Sequence, residues 1–551
     1  MDALALVVPI LLPLLGVPLV LHRRSRAVAQ RFAPAAPLPA LILALAAPEV
    51  YVDLPAVLLG TTLGVDTPGR LFLLFTALVW LFAGGFASAW LRDDAHAPRF
   101  WAFFLAAQAG NSGVCLAHDA ATFYLLFALM TFAAYGLVVH NGSDEAVRAG
   151  RVYLTMAVIG EGLLIAGLLL AAGSVGSHRL AELASAPPQQ LTAALLIAGF
   201  GIKVGVPLLH MWLPLAHPVA PVPASAVLSG VMLKAGLLGW LRFLPLGTHA
   251  LPEAGTLLMV GGLAAMFLGA GAGLAQRNPK VLLAYSSISQ MGFVTLGVGA
   301  GLAVPAAWPL LAPAVALYAL HHALAKSALF LGAGLVRVHG ASAARLVALA
   351  VPALALAGAP ATSGMLAKAN LKWGLASVAS PWPGVLAVLL PLAALGTALL
   401  MARFLWLLRQ QYGALDTTRA TGLAAPWLFA VVASAAIAWT VAALAVPGDT
   451  AMFLGAAAPP LVAVALAYAA LRLGWRAPAL PPGDVLLPLA RVLVRLRHTA
   501  TFPRPRTSTP RPGRFTAAPQ LLHCESRLRA CQHAGVWWLL LLAAELVALS
   551  T

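Results

Sequence analysis

The sequence predicts an all-α polytopic membrane protein, and two observations support that prediction. Of its 551 residues, 61% are hydrophobic and only 9% are charged, which is too few charges to solvate a soluble protein of this size. Apolar runs of 18 or more residues recur from end to end, each long enough to cross about 30 Å of hydrocarbon. We count about fifteen such runs, and they leave no stretch for a sizeable soluble domain.

The predicted spans follow one another with short connections. After the last of them, leucines and valines alternate with arginines at helical spacing over 484–498, which predicts a helix lying along the membrane surface. A Thr-, Pro- and Arg-rich linker (499–519) and a last apolar run (535–550) follow. The spans are 3–21, 33–47, 70–91, 99–116, 119–139, 150–172, 189–210, 220–243, 253–275, 279–300, 308–337, 344–374, 384–408, 424–446 and 451–473.

Basic residues indicate the orientation of the chain. A cleaved signal peptide carries its basic residues before the apolar core, whereas here HRRSR (22–26) follows it, so we predict a retained first helix with its N-terminus outside. Alternating spans then put 14 Lys and Arg on the cytoplasmic side, as the positive-inside rule requires, with Arg179 and Arg242 as exceptions on the other side. The basic loops are 22–31, 92–99, 140–151, 276–280, 337–345 and 409–420.

The net charge of +17 is therefore a topology signal that faces anionic lipid. A nucleic-acid-binding protein is excluded because the basic loops lack interleaved aromatic residues or a known binding fold. The three cysteines, Cys115, Cys524 and Cys531, form no ligand cluster, so neither a metal site nor a disulfide is expected. We find no nucleophile triad, phosphate loop, haem motif or iron–sulfur set, and predict no cofactor and no redox or hydrolytic centre in this chain.

Ionisable residues inside the apolar spans are the candidates for function, because a charge at the bilayer centre costs about 2.5–3.5 kcal/mol on insertion scales. A buried lysine or histidine suits proton transfer, since small changes in its surroundings switch its charge. Lys372 has an alternative interpretation, because it lies beside Trp373 near a helix end and its ammonium group can reach the interface. The candidates are Glu161, Lys203, Lys234, His322, Lys326, Lys368 and Lys372.

Two of these lysines lie beside predicted helix breaks. Pro207 follows Lys203 by four residues, and proline removes the hydrogen bond to the carbonyl four residues before it. Gly358 and Pro360 interrupt the helix that carries Lys368. Broken helices at membrane depth are tolerated where they line a polar cavity, as in transporters, and a harmless kink is the alternative.

Four sequence blocks occur in a characteristic order: PLLHMWLPLAHPVAPVPASAVLSGVMLKAGLLGWLRF (207–243), AYSSISQMGF (284–293), LHHALAKSALFLGAG (320–334) and GAPATSGMLAK (358–368). They resemble the antiporter-like subunits of respiratory complex I, of Mrp-type cation/proton antiporters and of group-4 hydrogenases, and the resemblance spans about residues 60–410. It implies a core of about fourteen helices with two inverted five-helix repeats, each containing a discontinuous helix.

The resemblance also implies roles for the candidate residues. Lys203 resembles the lysine whose charge switches in the first half-channel. Lys234 resembles the bridging lysine on the eighth helix of the family core. His322 and Lys326 resemble the central pair on helix eleven, and Lys368 resembles the terminal lysine that delivers protons to the outside. The transported species would be protons, with Na⁺ as an alternative exchanged ion.

Two positions depart from the family pattern. The family carries a glutamate on helix five as the partner of the first lysine, where this chain has Ala128, and its LPDAH motif has Leu215 in place of the aspartate. Glu161, one helix later, is our candidate for the missing carboxylate, because an unpaired buried ammonium is costly.

We therefore expect a proton-translocating, antiporter-like subunit of a multisubunit complex in a bacterial inner membrane, with homologous or accessory membrane subunits as partners. The lysine on helix twelve and the absence of a long lateral helix favour the Mrp-like and hydrogenase-like branches. The alternatives are a coupling subunit of an inorganic-carbon uptake complex and a structural subunit that has lost conduction. The expected regions are N-terminal helices (1–98), a translocating core (99–408), C-terminal core helices (409–475) and a basic tail (476–551).

Overall fold

The structure, a computed structural model, is built almost entirely from helices. It describes residues 2–187, 189–378, 381–413, 422–442, 450–474 and 480–481. The predicted surface helix (484–498), linker (499–519) and last apolar run (535–550) lie outside the described residues.

The helices are named α1 to α20 in chain order. Short 3₁₀ turns at Ala33–Ala35 and Pro305–Ala307 precede α3 and α15, and a π-helical turn at Leu228–Met232 joins α11 to α12. The helices are α1 (Asp2–Leu21), α2 (Arg26–Phe32), α3 (Leu38–Ala46), α4 (Thr67–Trp90), α5 (Ala97–Leu116), α6 (Ala120–Val138), α7 (Asp144–Val175), α8 (Leu180–Ser185), α9 (Gln190–Val204), α10 (Trp212–Val219), α11 (Val222–Val227), α12 (Leu233–Phe243), α13 (Pro252–Leu274), α14 (Pro279–Ala303), α15 (Trp308–His339), α16 (Ala343–Ala357), α17 (Ser363–Leu375), α18 (Trp382–Tyr412), α19 (Ala424–Ala442) and α20 (Thr450–Arg472).

The predicted fold class, an all-α polytopic membrane protein, is confirmed, although the number of full spans differs. Within the described residues, ten helical segments are long and apolar enough to cross a membrane, against about fifteen runs in the sequence. The runs over 189–210 and 344–374 are each broken into shorter helices. Helix α5 carries Gln108, Asn111 and Ser112, which lower its hydropathy, and α19 and α20 adjoin residues outside the description.

Three segments form the centre of the bundle. The apolar windows of α14, of α15 and of the continuous α11–α12 segment are 94–100% buried, against 33–44% for α1, α7, α13 and α18. The peripheral helices therefore present apolar side chains to lipid, while the central helices can carry polar side chains away from lipid.

The predicted cytoplasmic loops lie together on one face of the bundle. The side-chain amide of Asn141, between α6 and α7, donates a hydrogen bond to the Val219 carbonyl at the end of α10, at 2.8 Å. The Lys280 ammonium, at the start of α14, donates to the next connection through the Ala220 carbonyl, at 2.5 Å. These bonds join loops that the alternation of spans assigns to the same side.

A β-hairpin lies on the opposite face, where the sequence indicated only a loop. Strands β1 (Val50–Leu54) and β2 (Thr61–Val65) pair antiparallel. The β2 strand is held to the connection between α5 and α6, because the His118 amide donates to the Thr62 carbonyl and the Thr62 amide donates to the Asp119 carboxylate, both at 2.8 Å. The hairpin therefore covers the outer ends of α5 and α6.

The contacts of Arg242 account for its exception to the charge rule. Its side chain is buried at the outer end of α12 and donates hydrogen bonds to the carbonyls of Ala117, at 2.5 Å, and Cys115, at 2.8 Å. It also forms an ion pair with Asp66, at 3.1 Å. The guanidinium thus satisfies carbonyls that the end of α5 leaves unpaired and fastens α12 to the start of α4.

His118 lies beside Arg242, and its environment predicts that the stability of the protein depends on pH. Burial, and next the Arg242 charge, lower the pKa of His118 from 6.5 to about 4. The imidazole of His118 binds a proton more tightly in the unfolded chain than in the folded chain. Stability that is present at pH 7 is therefore lost as the pH falls from 6.5 towards 4. We expect the wild type to lose roughly 3 kcal/mol more than His118→Gln over this interval. Thermal unfolding in detergent between pH 7 and pH 4.5 measures the difference, and His249→Gln, on the same face, is the control. Equal slopes for the wild type and His118→Gln would contradict the prediction.

Candidate functional site

Two helices stop inside the bundle, near Lys203 and Lys368. Helix α9 ends at Val204 because Gly205 takes a left-handed conformation with φ 82°, and the chain becomes helical again only at α10. Pro207 lies inside this interruption, as the sequence predicts. The break nevertheless begins before the proline, because the glycine cap has already ended the helix.

The second break has the same construction. Helix α16 ends at Ala357 with Gly358 at φ 81°, and α17 resumes at Ser363, so Gly358 and Pro360 both lie in the interruption. Each break also contains a non-glycine residue at positive φ, Leu208 at 71° and Ala361 at 58°. Such conformations cost about 1–3 kcal/mol and persist only where the surrounding structure imposes them.

The first cluster surrounds Lys203 at the end of α9. The Lys203 ammonium lies 5.5 Å from the ring centre of Phe127, 5.6 Å from that of Tyr153 and 6.0 Å from that of Trp212. It also donates a hydrogen bond to the Tyr153 hydroxyl, at 3.4 Å. Three aromatic faces therefore stabilise a buried cation that lies next to a small cavity.

Glu161 lines the same cavity from α7. Its side chain is buried, and its Oε2 atom has no hydrogen-bond partner among the described residues. Helix α7 approaches α9 closely at Gly199, where a Cβ atom would come within 2.7 Å of Leu164. No ion pair within 4.0 Å joins Glu161 to Lys203 in the described part of the chain, so a buried carboxylate and a buried ammonium line one cavity without an ion pair between them.

The residues that α6 contributes to the lining of this cavity are uncharged. Phe127 and Thr131, one helical turn apart, line it, whereas Ala128, where the family pattern has glutamate, is not among the lining residues. The carboxylate that lines a cavity together with Lys203 thus comes from α7, one helix later than the family pattern places it. Tyr153 ties the two helices together, because its hydroxyl donates to the Thr131 carbonyl, at 2.9 Å.

Lys234 lies in the centre of the bundle, fully buried at the start of α12. Its ammonium donates a hydrogen bond to the Ser229 carbonyl, at 2.7 Å, inside the π-helical turn that precedes α12. The Ser229 hydroxyl in turn shares a hydrogen bond with the hydroxyl of Ser287 on α14, at 2.7 Å. A π-turn widens a helix by one residue and frees backbone carbonyls, which gives this lysine an acceptor inside an apolar segment.

Lys326 and His322 lie on α15, four residues apart and fully buried. The Lys326 ammonium donates to the Leu283 carbonyl, at 2.8 Å, and to the Ser286 hydroxyl, both on α14. Neither ring nitrogen of His322 has a hydrogen-bond partner among the described residues. The adjacent His321 points elsewhere, because its Nδ1 atom shares a hydrogen bond with the serine hydroxyl at the start of α17, at 2.8 Å.

Lys368 is held by the broken helix beside it. Its ammonium donates to the carbonyls of Leu356, at 2.9 Å, and Ala357, at 2.8 Å, which are the last carbonyls of α16. The ring of Phe293 lies 5.4 Å from the same ammonium. A cation at a helix C-terminus is favoured by the helix dipole, so the break itself creates the binding position for this lysine.

Lys372 differs from Lys368, although it lies one turn further along α17. It is exposed, and the neighbouring Trp373 is 60% exposed. This environment agrees with the interpretation of Lys372 as an interfacial side chain.

The sequence analysis missed a polar chain between α14 and its neighbours. The Tyr318 hydroxyl donates to the Gln290 side-chain oxygen, at 2.8 Å, and the Gln290 amide donates to the Thr397 hydroxyl, at 2.9 Å. His217 on α10 was also missed, although it is fully buried. Both Gln290 and His217 lie in sequence blocks that carry the family resemblance, which was the available signal.

Comparisons with known proteins identify the family. Residues 117–395, just over half of the chain, match the family described as "NADH:quinone oxidoreductase/Mrp antiporter, TM". The chain is 31% identical over 326 residues to hydrogenase-4 component B of Escherichia coli (strain K12). The aligned region covers 56% of this chain and 48% of that protein. It is 32% identical to NAD(P)H-quinone oxidoreductase chain 4 1 of Synechococcus sp. (strain JA-3-3Ab), and that alignment covers 67% of this chain and 72% of the Synechococcus protein.

Solved structures agree at the level of the fold. A chain of the Mrp complex from Dietzia sp. DQ12-45-1b superposes with a TM-score of 0.67 at 22% identity, covering 84% of this chain and 98% of that one. In sequence, the chain spans about half the length of several curated relatives that it matches, including 56% of the NADH-quinone oxidoreductase subunit N of Desulforudis audaxviator (strain MP104C). It is a multi-pass membrane protein and belongs to the family of NADH:quinone oxidoreductase and Mrp antiporter membrane subunits.

Proposed function

We propose that this chain is a proton-translocating, antiporter-like subunit of a multisubunit complex in a bacterial inner membrane. The observation that carries the proposal is that the buried Glu161 carboxylate and the buried Lys203 ammonium line the same cavity. A carboxyl group and an amine that line one cavity without contact can each hold a proton. A shift in the local electric field therefore moves the proton from one group to the other.

The remaining ionisable side chains supply the continuation of a path. Protons enter from the cytoplasmic face, pass along the central helices and leave near the outer end of α17. Each of the central lysines is held by backbone carbonyls or a serine hydroxyl, and these acceptors stabilise the ammonium without fixing its charge permanently. The proposed sequence of groups is Glu161, Lys203, Lys234, His322, Lys326 and Lys368.

The partners follow from the relatives, which are named as components of larger membrane enzymes and antiporters. We propose homologous or accessory membrane subunits as partners and protons as the transported species, with Na⁺ as a candidate exchanged ion. A structural subunit without conduction is disfavoured, because an inert bundle gains nothing from burying Lys203, Lys234 and Lys326, each of which costs several kcal/mol of desolvation.

Lys368 and Lys372 provide a matched test of this function. We expect proteoliposomes that hold the full-length chain, in the assembly with which it co-purifies, to collapse an imposed proton gradient. Lys368→Met removes a cation bound to the helix break and is expected to lower the flux at least about tenfold. Lys372→Met removes an exposed cation one turn away and is expected to leave it unchanged. No flux in the wild type, or equal flux in both variants, would contradict the proposal.

A further inference from the structure

The second half of the chain carries positive charge that no acidic residue of the same segment balances. Between Glu253 and Asp416 the sequence contains nine Lys and Arg and no Asp or Glu. Six of the nine lie in or near the loops that the alternation of spans assigns to the cytoplasmic side. The anions that neutralise this face therefore come from outside the segment. The six residues are Arg277, Lys280, Arg337, Arg345, Arg403 and Arg409.

Arg403, near the end of α18, is held at the level of the connection between α13 and α14. Its Nε and Nη2 atoms donate hydrogen bonds to the Gln276 carbonyl, at 3.3 Å and 3.0 Å. The guanidinium also lies 5.7 Å from the ring centre of Trp406, and both side chains are half-buried. Because a guanidinium has five N–H donors, this single carbonyl leaves donors of Arg403 available for a further acceptor.

Arg277 lies near Arg403 on the same rim of the bundle. The side-chain amide of Gln411 donates to the Arg277 carbonyl, at 2.8 Å, which joins the end of α18 to this connection a second time. The Arg277 side chain is exposed, and its charge acts on Arg403. Within the described residues this side chain forms neither an ion pair nor a hydrogen bond. Since two neighbouring guanidiniums repel each other, the arrangement favours an anion that both can contact.

The position of the two arginines favours a phospholipid as the source of that anion. Helices α13 and α18 are peripheral, with apolar windows that are only 44% buried, so their outer faces contact acyl chains. Arg277 and Arg403 lie where these helices reach the predicted cytoplasmic surface, which is the level of the headgroups. Trp406 supplies the amphipathic ring that is enriched at this interface. Phosphate oxygens also fit the planar fork of an arginine, which can donate two parallel hydrogen bonds to them.

We propose that Arg277 and Arg403 bind the phosphate group of an anionic phospholipid in the cytoplasmic leaflet, with Trp406 beside the headgroup. Basic pockets between transmembrane helices on this side of a membrane are suited to such headgroups. The bound lipid neutralises the two guanidiniums and fastens the end of α18 to the connection between α13 and α14. The proposal does not depend on proton translocation, because it concerns only binding and stability.

The test uses the full-length chain in the assembly with which it co-purifies, delipidated in a neutral detergent and titrated with phosphatidylglycerol. We expect the lipid to raise the unfolding temperature, because a ligand that binds only the folded state stabilises it. The lipid concentration that gives half of the maximum rise is expected to increase about tenfold in Arg277→Gln, which loses a charged donor. Arg24→Gln, at an exposed position in the loop after α1, is the matched control and is expected to keep the wild-type value.

A second variant separates phosphate recognition from the attachment of α18. Arg403→Lys keeps the positive charge and a donor for the Gln276 carbonyl, but a lysine lacks the planar fork. We expect its half-maximal lipid concentration to rise at least about threefold, while the unfolding temperature without lipid stays at the wild-type value.

Four outcomes would overturn the proposal. One is a wild-type assembly that phosphatidylglycerol does not stabilise, and another is a wild-type half-maximal concentration in Arg277→Gln or Arg403→Lys, which would leave a carboxylate of a neighbouring subunit as the anion at this rim. An equal rise with phosphatidylcholine would show that the site does not distinguish anionic lipid. An equal rise with inorganic phosphate would show that the site binds the free anion. Because proton flux is not measured, none of these outcomes bears on the proposed function.

Discussion

Replacing Glu161 by alanine is expected to lower proton flux about 100-fold, to the level of protein-free liposomes. The substitution leaves the Lys203 ammonium buried without the carboxylate that lines the same cavity. The ammonium then has no carboxylate in its cavity with which to exchange a proton, and a barrier raised by about 2.8 kcal/mol slows the transfer about 100-fold. Proton flux in proteoliposomes measures the loss, and Glu182→Ala, an exposed carboxylate in α8, is the matched control.

A rescue variant tests whether position or merely the presence of a carboxylate matters. Thr131 lines the same cavity from α6, the helix on which the family carries its glutamate. We therefore expect the double variant Glu161→Ala with Thr131→Glu to recover most of the flux, because a carboxylate again lines the cavity beside Lys203. Normal flux in the Glu161→Ala variant would show that α7 does not supply the working carboxylate. A folded double variant that stays inactive would show that the carboxylate must come from α7.

The second large effect is expected at Gly364, in the first turn of α17. A Cβ atom there would lie 1.7 Å from the Ala355 carbonyl oxygen and 3.0 Å from the ring of His321. The first of these neighbours is backbone, so α17 must move away from the end of α16. We expect Gly364→Ala to lower the free energy of unfolding by at least about 3 kcal/mol. The shift would also separate Lys368 from the carbonyls that hold it, so proton flux is expected to fall with stability.

Gly261 is the matched control for this substitution. It lies within α13, and a Cβ atom added there meets no atom within 4 Å. Gly261→Ala is expected to stabilise the protein by up to about 1 kcal/mol, since alanine favours the helix. Thermal unfolding of both variants in detergent gives the comparison, and equal unfolding temperatures would mean that α16 and α17 do not pack as closely as the structure indicates.

Much of the fold was predictable because it depends on properties that each residue carries by itself. Hydropathy located the spans, and the bounds of α13 and α14 lie within a few residues of the predicted ones. The β-hairpin was not predictable, because its strands are short and are fixed by contacts with His118 and Asp119 from a distant part of the chain.

The start of the first helix break was also placed too late along the sequence. Proline is the stronger local signal, so the prediction put the break at Pro207. In the structure α9 already ends at Val204, because Gly205 follows it directly in the left-handed conformation. A glycine is compatible with a helix interior as well as with a cap, so its conformation is settled only in the folded chain.

The candidate residues were predictable in part, because a lysine inside an apolar span stands out in any sequence. Their surroundings were not. Which of the adjacent histidines His321 and His322 bonds to Ser363 depends on how α15 is rotated against α17. The acceptor of Lys234 exists only because α11 and α12 are joined by a π-turn, which hydropathy does not indicate.

The sequence by itself determined the fold class, the order of the spans and the identity of the buried lysines. These follow from hydrophobicity and charge, which act on each segment separately. Only the tertiary structure decided that Glu161 and Lys203 line the same cavity and that the last carbonyls of α16 hold Lys368. The physical reason is that distances between helices depend on their rotation and on close approach at residues such as Gly199, and neither is encoded in the periodicity of a single helix.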